Sequence, residues 1–200
     1  MDAFASIAML IFVSAATPGP NNVVVLRKAV SGGVRSVLPA LAGIVLGGIA
    51  MLVLAQVGLA TVLASNPRLH TAMVLAGAAY LVWMGVVLIA RAGTAMPAHT
   101  GESDARGAIA MFGFQFTNPK AWTLALTVVG ASQAMAVPSA MTSAGLLLMF
   151  AVISSACLMA WALLGTYARR VLTDATGLLR LDRAMGVLLV ASATALLFPL

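Results

Sequence analysis

The apolar positions of this chain cluster into six long runs, separated by shorter polar segments. Most of the runs have the length that a helix needs to cross a bilayer, about 20 residues at a rise of about 1.5 Å each. We therefore predict an all-α integral membrane protein, with residues 1–200 forming one transmembrane domain. The six predicted spans are Ala3–Leu26, Val37–Ala64, Thr71–Ala90, Ala108–Ser132, Ser139–Tyr167 and Ala184–Leu200.

The basic residues lie mainly in alternate connections between these runs. Nine of the 11 lysines and arginines fall in the first, third and fifth connections, whereas Arg68 falls in the second and Lys120 inside a span. Basic residues accumulate in the cytoplasmic loops of membrane proteins. The odd connections are therefore predicted to be cytoplasmic and both termini external.

The third connection, residues 93–107, is the most polar segment and is rich in Gly and Pro. It is predicted to link two halves, about 1–92 and 108–200, with three spans in each. Because three is odd, the second half must enter the membrane in the opposite orientation. The sequence thus predicts two inverted three-helix halves.

Prolines interrupt the first and fourth predicted spans. Thr17–Asn22 contains Pro18 and Pro20, and Phe116–Lys120 contains Pro119. Proline lacks an N–H and clashes with the carbonyl four residues earlier, so it breaks a helix. Broken backbone at membrane depth is tolerated only where it is packed in protein or lines a wet cavity. Paired breaks in corresponding spans indicate a transporter binding site, although a kink used only for packing is the alternative.

The predicted binding site is centred on Lys120, the one charged residue well inside a predicted span. A lysine at a helix centre costs about 2.5–3.5 kcal/mol, so it must face protein or water. The two restarted half-helices would point positive ends at the same region, and together with Lys120 they predict an anion site. The alternatives are a snorkelling lysine and asparagines that only satisfy broken backbone. The predicted substrate-binding residues are Pro18, Gly19, Pro20, Asn21, Asn22, Asn118, Pro119 and Lys120.

The composition argues against other classes of function. Only 8% of the residues are charged, against about 25% in soluble domains. The net charge of +6 does not indicate a nucleic-acid partner, because the basic residues flank apolar runs. The spans contain no paired carboxylates, no histidine cluster and no activated nucleophile, and Cys157 is alone. We therefore expect neither an enzyme nor a metal or other cofactor.

Three motifs resemble the LysE/RhtB family of bacterial amino-acid exporters in their order and spacing. They are Thr17–Asn22, Gly77–Gly85 and Phe116–Ala121. Two shorter segments, Gln115–Phe116 and Ala160–Gly165, resemble the cysteine/O-acetylserine exporter branch of that family.

This resemblance implies secondary-active efflux of amino acids across the bacterial inner membrane, with the anion site holding the substrate carboxylate. The expected substrates are small neutral amino acids or derivatives, such as cysteine, O-acetylserine, homoserine or threonine, because no acidic residue lies deep in a predicted span to pair a second cation. A proton is the expected coupling ion, the lipid bilayer the surrounding partner, and a homodimer is left open. The alternatives are a lysine or arginine exporter of the same family and a non-transporting membrane scaffold.

Overall fold

The computed structural model describes residues 3–59, 62, 65–92, 104–132, 139–172 and 175–197, and these residues contain helices but no strand. A π-helical turn, Ala55–Leu59, follows directly on the third helix. The eight α-helices of these residues are α1 (Ala3–Ala16), α2 (Pro20–Gly32), α3 (Val34–Leu54), α4 (Pro67–Ala90), α5 (Asp104–Thr117), α6 (Pro119–Ser132), α7 (Ser139–Val171) and α8 (Ala175–Leu197).

Three helical segments of the described residues are long and apolar enough to cross a membrane. They are Val34–Gly58, Pro67–Ala90 and Thr142–Val171. The pair α1 and α2 makes a fourth if it is counted as one span, with a bend of 52° between its halves. The predicted fourth and sixth spans correspond to the pair α5–α6 and to α8, which are not among these segments.

The first polar connection is much shorter than the predicted segment Arg27–Ser36. The chain is helical throughout this segment except at Gly33, whose φ of +74° strains any residue with a side chain. The Gly33 N–H donates to Ala29 O at 2.8 Å, and Ser36 Oγ donates to Lys28 O at 3.0 Å. Basic residues thus end the apolar pattern here without ending the helix.

The second and third polar connections also end earlier than predicted. Helix α4 begins at Pro67 because Asn66 Oδ1 accepts the N–H of Leu69 at 3.2 Å and caps the helix. Helix α5 begins at Asp104, so the end of the predicted linker 93–107 is helical, while residues 93–103 lie outside the described residues. The segment 133–138 and the predicted end of the sixth span at Leu200 also lie outside them.

Three clusters of buried apolar side chains hold the helices around the two proline breaks. The first joins α1, α3, α6 and α7, the second joins α2, α4 and α8, and the third joins α2, α3 and α7. The buried apolar side chains of each cluster pack closely against one another and so hold the helices together. The most deeply buried members include Ile11, Met51, Val128 and Leu146 in the first cluster, Leu26 and Leu189 in the second, and Val25 and Val37 in the third.

Glycines set the closest helix crossings. A Cβ added at Gly43 of α3 would lie 2.1 Å from Ala108 O of α5, so the two backbones touch. Gly85 of α4 and Gly186 of α8 approach each other, because a Cβ on either would lie 2.7 Å from the carbonyl oxygen of the other. Small residues at such crossings let membrane helices pack without a gap.

A buried ion pair joins α2 to α8. Arg27 Nη2 lies 3.1 Å from Asp182 Oδ2, and the side chains are 19% and 7% exposed. This partner could not be read from the sequence, in which Asp182 lies in a polar connection. The pair therefore ties the second half of the broken first helix to the last helix.

Removal of one partner of this pair should destabilise the protein. We expect Asp182→Leu to lower the free energy of unfolding by about 3–5 kcal/mol, because the Arg27 charge stays buried without its carboxylate. The double variant Arg27→Met/Asp182→Leu should recover most of this loss, since an apolar pair leaves no buried charge. Thermal unfolding in detergent measures both. A double variant that unfolds at the same temperature as the single variant would contradict the interpretation.

Candidate functional site

The first break leaves the start of α2 without a side-chain cap. Gly19 precedes α2 in an extended conformation, with φ −160° and ψ 178°, and none of the described side chains caps the helix there. The side chain of Asn22 instead turns back to the end of α1, where Nδ2 donates to Ala15 O at 3.0 Å and to Thr17 O at 2.8 Å. The positive end of α2 therefore keeps backbone N–H groups that could donate hydrogen bonds to a ligand.

At the second break, nearby residues form hydrogen bonds with the backbone groups that the break exposes. Asn118 separates α5 from α6, and its Oδ1 accepts the N–H of Lys120 at 3.2 Å. Pro119 has no N–H to donate to Gln115 O, four residues earlier. The Asn118 N–H donates to this oxygen instead, at 3.0 Å. Trp122 Nε1 donates to a further carbonyl of this turn at 2.9 Å. The start of α6 is thus less open to an anion than the start of α2.

Side-chain amides connect the two breaks. Asn21 Nδ2 donates to Gln115 Oε1 at 2.9 Å, and Gln115 Nε2 donates to Asn21 Oδ1 at 3.0 Å. Asn118 Nδ2 also donates to Asn21 Oδ1, at 3.3 Å. Gln115 and Asn118 are only 1% and 2% exposed. The sequence analysis missed the side chain of Gln115, although a glutamine inside an apolar span was the available signal.

Lys120 reaches from α6 to the end of the first break. Its Nζ donates to Thr17 O at 2.7 Å and to Pro18 O at 3.4 Å. The side chain passes directly over Gly19, where an added Cβ would lie 3.1 Å from Cδ and 3.2 Å from Nζ of Lys120. The ammonium group therefore lies against carbonyl oxygens at the negative end of α1.

A cavity of about 60 Å³ lies where these groups meet. Of the predicted site residues, six line it, whereas Pro18 does not, and Pro119 lines a second cavity of about 320 Å³ beside Tyr80 and Trp122. None of the described residues that line the first cavity is acidic. Its polar lining comes from Ser14, Asn21, Asn22, Gln115, Asn118, Lys120 and Ser154, and its apolar lining includes Ile44, Leu52, Leu124, Phe150 and Leu158.

The groups in and beside the cavity suit a molecule with both charges and an apolar part. Lys120 and the uncapped start of α2 suit a carboxylate, and the carbonyl oxygens at the end of α1 suit a cation. Within the described part of the chain, no three His, Cys, Asp or Glu side chains are grouped so that they could hold a metal ion. The side chains and backbone groups present here suit the binding of a small polar molecule.

The comparison with protein families agrees with the motifs at the two breaks. The family model for LysE type translocators matches residues 12–199. This chain belongs to the LysE family. The match includes both breaks and the cavity between them, so the site belongs to the part of the chain that the family shares. Membership, together with the apolar helices, makes the chain a membrane protein of a transporter family.

Relatives of this LysE-family chain include leucine efflux proteins. Those of Klebsiella pneumoniae and Salmonella typhimurium are each 32% identical, over 110 and 111 residues, which is 52% of this chain and 50% of the relative. An uncharacterized membrane protein of Pseudomonas aeruginosa is 35% identical over 72 residues, or 36% of this chain and 33% of the relative. The chain thus matches half or less of the length of these relatives. No solved structure matches it.

Proposed function

We propose that this LysE-family protein exports neutral amino acids across the bacterial inner membrane. The observation that carries the proposal is the cavity between the two breaks, where one lysine, several amides and apolar side chains face the same space. The leucine efflux proteins among its relatives support the same class of substrate. We further propose that a proton gradient drives this transport.

The cavity lining separates the candidate substrates. A second cation, as on lysine or arginine, would meet no carboxylate among the described lining residues, and Asp182 is already paired with Arg27. The apolar lining favours an aliphatic side chain such as that of leucine. Ser14 and Ser154 in the same cavity favour a small polar side chain, so cysteine, O-acetylserine, homoserine and threonine form the second candidate class.

The proposed architecture is six spans in two inverted halves, with odd connections in the cytoplasm. In this arrangement α1–α2 and α5–α6 are the first and fourth spans, and α8 is the sixth. Pro18 and Pro119 are 101 positions apart, as are Gly85 and Gly186, which touch at the α4–α8 crossing. This common offset supports an internal repeat in which the two breaks are equivalent and the α4–α8 crossing lies near the pseudo-twofold axis.

Efflux from cells loaded with labelled amino acids tests this function. Cells that express the protein should release leucine fastest, the cysteine and threonine class more slowly, and lysine and arginine at the rate of cells with an empty vector. Release of lysine faster than every neutral amino acid would contradict the proposal. Release of none of them above the empty-vector rate would favour a scaffold.

A further inference from the structure

The carbonyl groups from Ala15, near the end of α1, to Pro18, in the first break, form a cluster beside the cavity that Ala15 and Gly19 line. Pro18 and Pro20 have no backbone N–H, so a continuing helix could not donate hydrogen bonds to all of these oxygens. Side chains from other helices donate to them instead. The donors are Asn22 Nδ2 to Ala15 O and Thr17 O, Trp161 Nε1 to Ala16 O at 3.3 Å, Ser192 Oγ to Pro18 O at 3.0 Å, and Lys120 Nζ to Thr17 O and Pro18 O.

Only one of these donors is charged and reaches the cluster on a long flexible stem. Lys120 lines the cavity and also lies on the Thr17 and Pro18 oxygens. Each of these two oxygens has a second, neutral donor, from Asn22 and from Ser192. Departure of the lysine ammonium would therefore leave neither carbonyl without a hydrogen bond.

The groups around Gly19 suit both ends of a zwitterion. The oxygens of Thr17 and Pro18 lie just beyond the negative end of α1, and the uncapped start of α2 carries a positive end two residues later. The side chain of Lys120 ends in a primary ammonium group, and these two carbonyl oxygens already bind it. An α-ammonium group has the same three donors and the same charge.

We propose that the Thr17 and Pro18 carbonyl oxygens form the site for the α-ammonium of the substrate, and that Lys120 holds this site until the substrate carboxylate attracts its ammonium away. The inference rests on the proposed export of neutral amino acids. The exchange keeps one cation on the carbonyl cluster before and after the substrate binds, so the electrostatic attraction between a cation and the oxygens is retained. It also rejects a simple amine, because an amine brings no carboxylate to draw Lys120 away and two ammonium groups would repel each other.

This inference is tested by measuring how purified protein binds ligands that carry only the carboxylate or only the ammonium group of the substrate. The ligands are leucine, isocaproate, which lacks the ammonium group, and a primary-amine series from methylamine to isopentylamine, which lacks the carboxylate. Titration calorimetry should show that the wild type binds leucine at least about tenfold more tightly than any amine. Lys120→Met should reverse this order, with at least one amine binding about tenfold or more tightly than it binds the wild type, while isocaproate binds more weakly.

Lys28→Met is the matched control, because Lys28 is a lysine of α2 that does not line the cavity. It should change no ligand affinity by more than about twofold. Lys120→Gln, which removes the charge but keeps a polar side chain, gives the same test in a second background. An amine that binds both Lys120 variants no better than the wild type would overturn the inference. A Lys120→Met protein that binds Na⁺ but no amine would overturn it too, since the carbonyl cluster would then be a metal-cation site.

The same titrations distinguish this inference from the proposed function. If the wild type binds no neutral amino acid but Lys120→Met gains amine binding, the proposed substrate class is wrong and the ammonium site stands. If the wild type binds leucine but the Lys120 variants gain no amine binding, the proposed function stands and the exchange is wrong.

Discussion

Replacement of Lys120 by methionine should reduce export of a neutral amino acid by about 30-fold or more, with a normal amount of folded protein in the membrane. Loss of the charged partner of a desolvated carboxylate costs about 2–5 kcal/mol, which sets this range. Folding should be retained because Asn22 and Ser192 still donate to the two carbonyls that Lys120 contacts. Insertion should be at least as efficient, since a buried charge is removed.

The size of the loss must depend on the charge of the side chain. Lys120→Arg keeps the charge and changes the hydrogen-bond geometry, so export should fall less than in the methionine variant. Lys28→Met, outside the cavity, should export at close to the wild-type rate. Initial efflux rates normalised to membrane protein make the comparison. Wild-type export by Lys120→Met would show that Lys120 takes no part in binding.

A side chain at Gly43 should prevent stable packing of α3 on α5. In Gly43→Ala the new Cβ would lie 2.1 Å from Ala108 O and 3.0 Å from Phe112 N, and these backbone atoms cannot rotate away. We expect a loss of about 3 kcal/mol or more in the free energy of unfolding, at the upper end for overpacked cores. Thermal unfolding of the purified protein in detergent measures it.

Gly113→Ala is the control on α5 itself. No described atom beyond the local helix lies within 4 Å of a Cβ at Gly113, so this substitution should be neutral or should stabilise the helix by up to about 1 kcal/mol. Equal unfolding temperatures for the Gly43→Ala and Gly113→Ala proteins would mean that the α3–α5 crossing is looser than the structure has it.

Periodicity and proline chemistry predicted where helices occur better than where they end. The apolar runs indicated helices in each predicted span, and the position of Pro119 agrees with the start of α6. The segment Arg27–Ser36 was wrongly predicted as a polar connection, because hydropathy reports where a helix leaves lipid and not where its hydrogen bonds stop. Only a local backbone requirement, at Gly33, separates the two helices there.

The partners at the site could not be predicted, because they come from distant parts of the chain. The anion site at Lys120 stays a prediction, and the contacts of its Nζ with the carbonyl oxygens of Thr17 and Pro18 were not foreseen. The residue types along the chain do not determine which end of a broken helix a long side chain contacts, because this depends on how the helices pack. The link between Asn21 and Gln115 and the ion pair of Asp182 depend in the same way on how helices from the two halves pack.

Counterflow in proteoliposomes tests the central claim most directly, because it needs no knowledge of the coupling ion. Vesicles that contain the purified protein and excess unlabelled leucine are diluted into labelled leucine. We expect transient accumulation of label with the wild type, competition by neutral amino acids but not by lysine, and little accumulation with Lys120→Met. Absence of accumulation for every neutral amino acid, or equal accumulation with Lys120→Met, would contradict a neutral-substrate site at the paired breaks.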